Sequence, residues 1–72
     1  MQMLTDVPSN TICTVKWMLG LPEETDQELR DWEICQGSEI RVIQNNGGGL
    51  LIIGAGPRRI ALGADTANHI RV

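Results

Sequence analysis

The sequence contains no phenylalanine and no tyrosine; its aromatic content is two tryptophans, Trp17 and Trp32. That removes the aromatic platform on which single-stranded nucleic acids stack. Basic residues are scarce too, six against nine acidic ones, for a net charge of −3. A phosphate backbone needs a basic surface, so nucleic acid is a poor fit as main partner. Two cysteines allow at most one disulfide, and they lack the paired spacing of a zinc motif. No charged-then-apolar leader opens the chain, and we expect a cytoplasmic protein with reduced thiols. The longest aliphatic run, Leu50 to Ile53, is far short of the ~20 residues that span a bilayer. Any link to a membrane must therefore come through a partner.

Glycine, in contrast, is abundant and placed with purpose. Asn45-Asn46-Gly47-Gly48-Gly49 and Gly54-Ala55-Gly56-Pro57 punctuate short Val/Ile/Leu segments between Ile40 and Val72. Segments of this length cut by Gly and Asn read as strands joined by tight turns. Connections this short make neighbouring strands antiparallel, because a parallel crossover needs a dozen residues or more. The glycine clusters resemble phosphate loops only superficially: no helix N-terminus and no Lys-Ser/Thr follows either of them. We read them as turns.

Along the chain, Leu4 and Val7 are candidates for packing. Thr11 to Met18 reads as a strand with Cys13, Val15 and Trp17 on one face and Ile12, Thr14 and Lys16 on the other. Gly20-Leu21-Pro22 breaks it. Thr25-x-x-Glu28 fits a capping box and predicts a short helix from Asp26 to Glu33, with Leu29 and Trp32 as its inward face. Most of the acidic residues fall between Glu23 and Glu33, the pattern of a solvated helix face. Strands follow from Ser38 to Asn45 (Ile40 and Val42 inward), from Leu50 to Ile53, from Pro57 (Ile60 and Leu62 inward), and from His69 to Val72 (Ile70 and Val72 inward). A helical turn at 64–68 precedes the last. The expected fold is mainly β: a five-stranded antiparallel barrel, its one helix between the first two strands, all 72 residues in one domain and the interior filled by side chains. The expected core is Val15, Leu29, Trp32, Ile40, Val42, Ile60, Leu62 and Ile70.

Little here carries chemistry. Cys13, Cys35 and His69 are the soft ligand candidates for Fe2+ or Zn2+, but they sit on separate elements and their spacing does not force them together. No carboxylate stands out as one with a raised pKa in a cleft, and we expect no enzyme. Leu50 and Ile52 share one face of their strand and Leu51 and Ile53 the other, and a barrel interior takes only one pair. An outward pair beside Arg58 and Arg59 would make an apolar patch rimmed by charge, the usual character of an interface. We take Leu51, Ile53, Arg58 and Arg59 as the candidate partner-binding set.

The residues assembled so far resemble the FeoA family of ferrous-iron transport proteins. Val15, Met18 and Gly20 match its opening strand. Leu29 to Gly37 covers its helix exit, and Ile40-Arg41-Val42 its next strand. Its closing pattern is met by Gly56, Arg59, Ile60-Ala61-Leu62 and Ala67-Asn68-His69-Ile70-Arg71-Val72. Two positions depart from it: Glu33 stands where the family usually has a helix-ending Gly, and Gln36 where it has Pro. A residue just past a helix end often needs φ > 0, which strains any residue with a Cβ. The resemblance implies an SH3-like barrel and an accessory role to FeoB, the membrane ferrous-iron transporter with a cytoplasmic GTPase region. The same barrel type also resembles the SH3-like C-terminal domain of DtxR-like repressors, which gives a metal-binding or metal-sensing domain as the alternative to that leading reading.

Overall fold

The hairpins fall where the glycines predict them. In the computed structural model, which describes residues 2–72, three strands run in sequence: β3 (Glu39–Asn45), β4 (Leu50–Ala55) and β5 (Arg58–Gly63). The β4–β5 turn has two central residues, Gly56 and Pro57, and Gly56 sits at φ 59°, which costs a residue without Cβ nothing.

The first strand departs from expectation. Thr11–Thr14 forms β1 and Trp17–Met18 forms a separate β2, because the chain changes partners between them. The Val15 N–H donates to the Ser38 carbonyl at 2.8 Å, and the next N–H, of Lys16, donates to the Arg71 carbonyl at 2.7 Å. Val15 is the corner and is completely buried. β1 extends the meander into a four-stranded antiparallel sheet of order β1-β3-β4-β5. After the helical turn α2 (Ala64–Ala67), β6 (Ile70–Arg71) pairs with β2. Met3 bridges Arg71 on the other side, so β6 lies between β2 and the N-terminal segment.

The helix α1 spans Glu23–Asp31, three residues ahead of the predicted start. Pro22 occupies the N-cap and Thr25 lies inside the helix, so the capping box does not form. Glu23, Glu24 and Asp26 supply negative charge to the first turn instead, where the macrodipole favours it. At the other end the chain leaves by a Schellman motif. The Ile34 N–H donates to the Leu29 carbonyl at 2.8 Å and the Glu33 N–H to the Arg30 carbonyl at 2.9 Å. Leu29 and Ile34, the apolar pair of that motif, are both buried. Glu33 sits at φ 63°, the left-handed conformation implied by the family's glycine. The Ser38 hydroxyl donates to the Glu33 carbonyl at 2.7 Å and fixes the exit.

The core is aliphatic throughout: Leu4, Val7, Val15, Leu29, Ile34, Ile40, Val42, Leu51, Ile53, Ile60, Leu62 and Ile70, with Ala55 and Ala67. Every member of the expected core is here except Trp32, which is half-buried against its edge. Trp17, expected inward with Val15, is exposed, because the corner at Val15 ends the alternation of β1. Among the described residues no polar side chain is buried.

One irregularity ties the N-terminal segment down. β3 carries a bulge between Val42 and Gln44, where Ile43 has no opposite number. Beyond it the Asn45 side chain reaches the N-terminal segment and donates to the carbonyls of Thr5 (3.0 Å) and Val7 (2.7 Å). The Asn45 N–H donates to the Ser9 hydroxyl at 2.8 Å. These bonds hold the 3-10 turn Leu4–Asp6, whose Leu4 plugs the core.

Candidate functional site

The register of the sheet decides which β4 residues face out. Leu51 is paired with Leu62 and Ile53 with Ile60, and all four are buried. Leu51 and Ile53 are therefore corrected from partner-facing to core: the interior takes the pair opposite β5's inward residues. Leu50, 54 % exposed, and the half-buried Ile52 are the outward pair.

With that pair fixed, the outer face can be read across the strands. One cross-strand row runs Ile12, Arg41, Gly54, Arg59; the next runs Gln44, Ile52, Ala61. Ile12 is 61 % exposed. Ile43, displaced by the bulge, lies over Gly54: a Cβ at Gly54 would meet Ile43 Cδ1 at 3.4 Å and Arg41 Nη2 at 3.7 Å. Glycine there lets an isoleucine and an arginine lie across the backbone of β4. The result is an apolar strip of Ile12, Ile43, Ile52 and Leu50 flanked by the guanidiniums of Arg41 and Arg59. Among the described residues the one ion pair is Arg30–Asp26 on α1, at 2.8 Å, so neither Arg41 nor Arg59 has a carboxylate partner. Arg58 and Arg59 are both exposed, as their place at the start of β5 requires. Two open depressions of about 220 and 210 Å3 border the strip at Ile12/Gly54 and at Leu50/Ile52. Each is smaller than the roughly 300–1,000 Å3 of a small-molecule site.

Of this face, sequence reasoning had Arg59 and placed Ile12 on the side opposite Val15. It missed Arg41 and Ile43 as members. The alternation of β1 and β3 carried the first signal; a bulge carries none.

The soft ligand candidates do not converge. Cys13 lies on β1, half-buried, and burial raises its thiol pKa. The Cys35 sulfur is in the turn after α1, 3.4 Å from the Ser38 hydroxyl. His69 precedes β6, with Nδ1 2.8 Å from the Leu19 carbonyl. A carbonyl only accepts, so Nδ1 carries the proton and donates. Among the described residues no three His, Cys, Asp or Glu side chains stand close enough to hold a metal ion. Cys13, Cys35 and His69 lie on three separate segments and form no joint cluster among the described residues.

The FeoA domain model matches residues 2–72. The chain belongs to the FeoA family. Among solved structures it is similar to an iron uptake regulatory protein (FeoA), at 25 % identity and a TM-score of 0.84, covering 96 % of this chain and 91 % of that one. It is equally similar to FeoA of Stenotrophomonas maltophilia, described as a procaryotic SH3 domain protein complexed with zinc and a candidate ferrous iron transport activating factor. That match has 25 % identity and a TM-score of 0.84, covering 100 % of this chain and 89 % of that one. A manganese-dependent transcriptional repressor shares the fold at 17 % identity and a TM-score of 0.85, over 96 % of this chain and 39 % of its own. No curated protein sequence matches. The FeoA fold is SH3-like and mainly β, and among the described residues no helix is long and apolar enough to cross a membrane.

Proposed function

We propose that this FeoA-family chain is a non-catalytic, cytoplasmic accessory of ferrous-iron uptake, and that it acts by docking on the cytoplasmic region of the transporter FeoB. The observation that carries this reading is the outer face of the sheet: Ile12 and Leu50 exposed by more than half, continuous with Ile52, and flanked by arginines without ion partners. Apolar surface with a charged rim is the ordinary anatomy of a protein interface. The relative described as a candidate iron transport activating factor supports the same direction.

The test is a pull-down against the cytoplasmic region of FeoB, with and without guanine nucleotide. Ile52→Asp should leave the fold intact and abolish capture, because a carboxylate would be desolvated in the middle of the interface. Retention by a folded Ile52→Asp protein would remove this face from the reading.

The metal-sensing alternative gains little from the residues present. A relative is described as complexed with zinc, yet here the cysteines and the histidine lie apart and no donor set closes. A Zn2+ titration under reducing conditions, followed at His69, Cys13 and Cys35, decides it: stoichiometric saturation at these residues would restore that reading.

A further inference from the structure

The four-stranded sheet ends at β5, and that edge has a chemistry of its own. Register fixes which backbone groups face it. The two-residue turn at Gly56-Pro57 makes Ala55 and Arg58 the closing pair, which exchanges both hydrogen bonds. Alternation then assigns Ile53/Ile60 and Leu51/Leu62 to the ladder, and turns the N–H and C=O of Arg59 and Ala61 away from β4. Among the described residues no other backbone segment bonds to them. Such an edge is a template for another strand.

Three features distinguish this edge from a merely solvated one. A cleft of about 440 Å3 runs beside it, lined by Trp32, Arg58, Arg59, Ile60 and Ala61. Trp32 is half-buried at the exit of α1 and forms the apolar wall. Among the described residues no acidic side chain lines the cleft and neither arginine has an ion pair, in a chain whose net charge is −3.

We infer that the β5 edge is a strand-addition site for an extended, carboxylate-bearing peptide segment of another protein. The peptide backbone pairs with Arg59 and Ala61, one of its side chains packs on Trp32, and its carboxylates meet Arg58 and Arg59. A second copy of this chain fits poorly as the added strand, because β5 on β5 would bring four arginines together. The inference goes beyond the transporter reading and holds whichever protein supplies the segment.

The probe is a capped octapeptide of valines and threonines around a central Glu-Glu pair, which presents one carboxylate on each face of an extended strand, with the Lys-Lys analogue as its counterpart. On titration to millimolar concentration, the Arg59 and Ala61 amides should shift saturably and gain protection from hydrogen exchange. The lysine analogue should bind about tenfold more weakly, as two exposed ion pairs imply. Ala61→Pro removes an N–H that the β4 ladder does not use, so the protein should fold and lose the peptide. Should that variant fail to fold, the double variant Arg58→Glu with Arg59→Glu serves, and it should reverse the preference between the two peptides. Any of four results would overturn the proposal: equal binding of both peptides, no protection at Arg59 and Ala61, shifts confined to Ile12 and Ile52, or concentration-dependent self-association through these amides without peptide.

Discussion

Glu33→Gly is expected to stabilise the protein. Glu33 holds φ 63° as the residue after the C-cap Trp32, and its own N–H and the next close the Schellman motif. For an L-residue with a Cβ that conformation costs roughly 1–2 kcal/mol. Glycine removes the cost but adds about 0.5–1 kcal/mol of backbone entropy to be lost on folding. The difference is a net gain of about 0.5–1 kcal/mol. The side chain is exposed and makes no hydrogen bond or ion pair among the described residues, and the bond from Ser38 goes to the backbone carbonyl, which glycine keeps. At about 4–8 °C per kcal/mol for a domain of this size, the melting temperature should rise by about 3–6 °C. Thermal and urea unfolding followed by far-UV circular dichroism measure it. Glu33→Ala is the control: it deletes the carboxylate but keeps the Cβ, and should gain nothing. A Glu33→Gly protein that loses about 1 kcal/mol, the penalty of glycine inside ordinary helix, would refute the strained exit.

Asn45→Ala should cost about 1–3 kcal/mol, because two bonds to Thr5 and Val7 are lost and their carbonyls are left unpaired; hydrogen exchange should rise first at the amides of Asp6 and Val7. Ile53→Ala should cost roughly 2–5 kcal/mol, since Ile53 is fully buried, whereas Ile52→Ala on the outer face should cost less than about 1 kcal/mol; equal values in urea would contradict the register of β4. Trp32→Ala should cost less than the roughly 3–5 kcal/mol of a buried tryptophan, because only part of the ring is covered, and an unchanged melting curve would show that α1 does not dock through it.

Much of this fold was legible because local chemistry and topology agree. The glycine clusters set both hairpins, alternation set the inward faces of β3 and β5, and the Gly-to-Glu departure pointed to a left-handed residue that is there. Three things were not legible, each decided by contacts distant in sequence. The corner at Val15 depends on Ser38 and Arg71 competing for successive amides. The start of α1 looked like Thr25 because a capping box is a strong local pattern, yet proline at the N-cap with acidic residues behind it suffices. The facing of β4 was open because all four residues of its aliphatic run are apolar, and only pairing with β5 could choose. Of the candidate surface, the exposure of Arg58 and Arg59 was legible from the sequence, Leu51 and Ile53 fell to the wrong side of that choice, and Ile43 owes its place to a bulge.

The absence of aromatic residues from the core has a spectroscopic consequence. With no tyrosine or phenylalanine, all near-ultraviolet absorption and emission come from Trp17 and Trp32, and neither is enclosed. Tryptophan emission will therefore change by a small amplitude when the aliphatic core is lost, and in a two-state transition its midpoint will coincide with that of backbone signals. The same poverty is useful elsewhere. Replacing the exposed Trp17 with a non-fluorescent residue leaves a single native fluorophore, seated beside the free edge of β5, so that a ligand arriving there can be titrated by its own quenching with no dye attached.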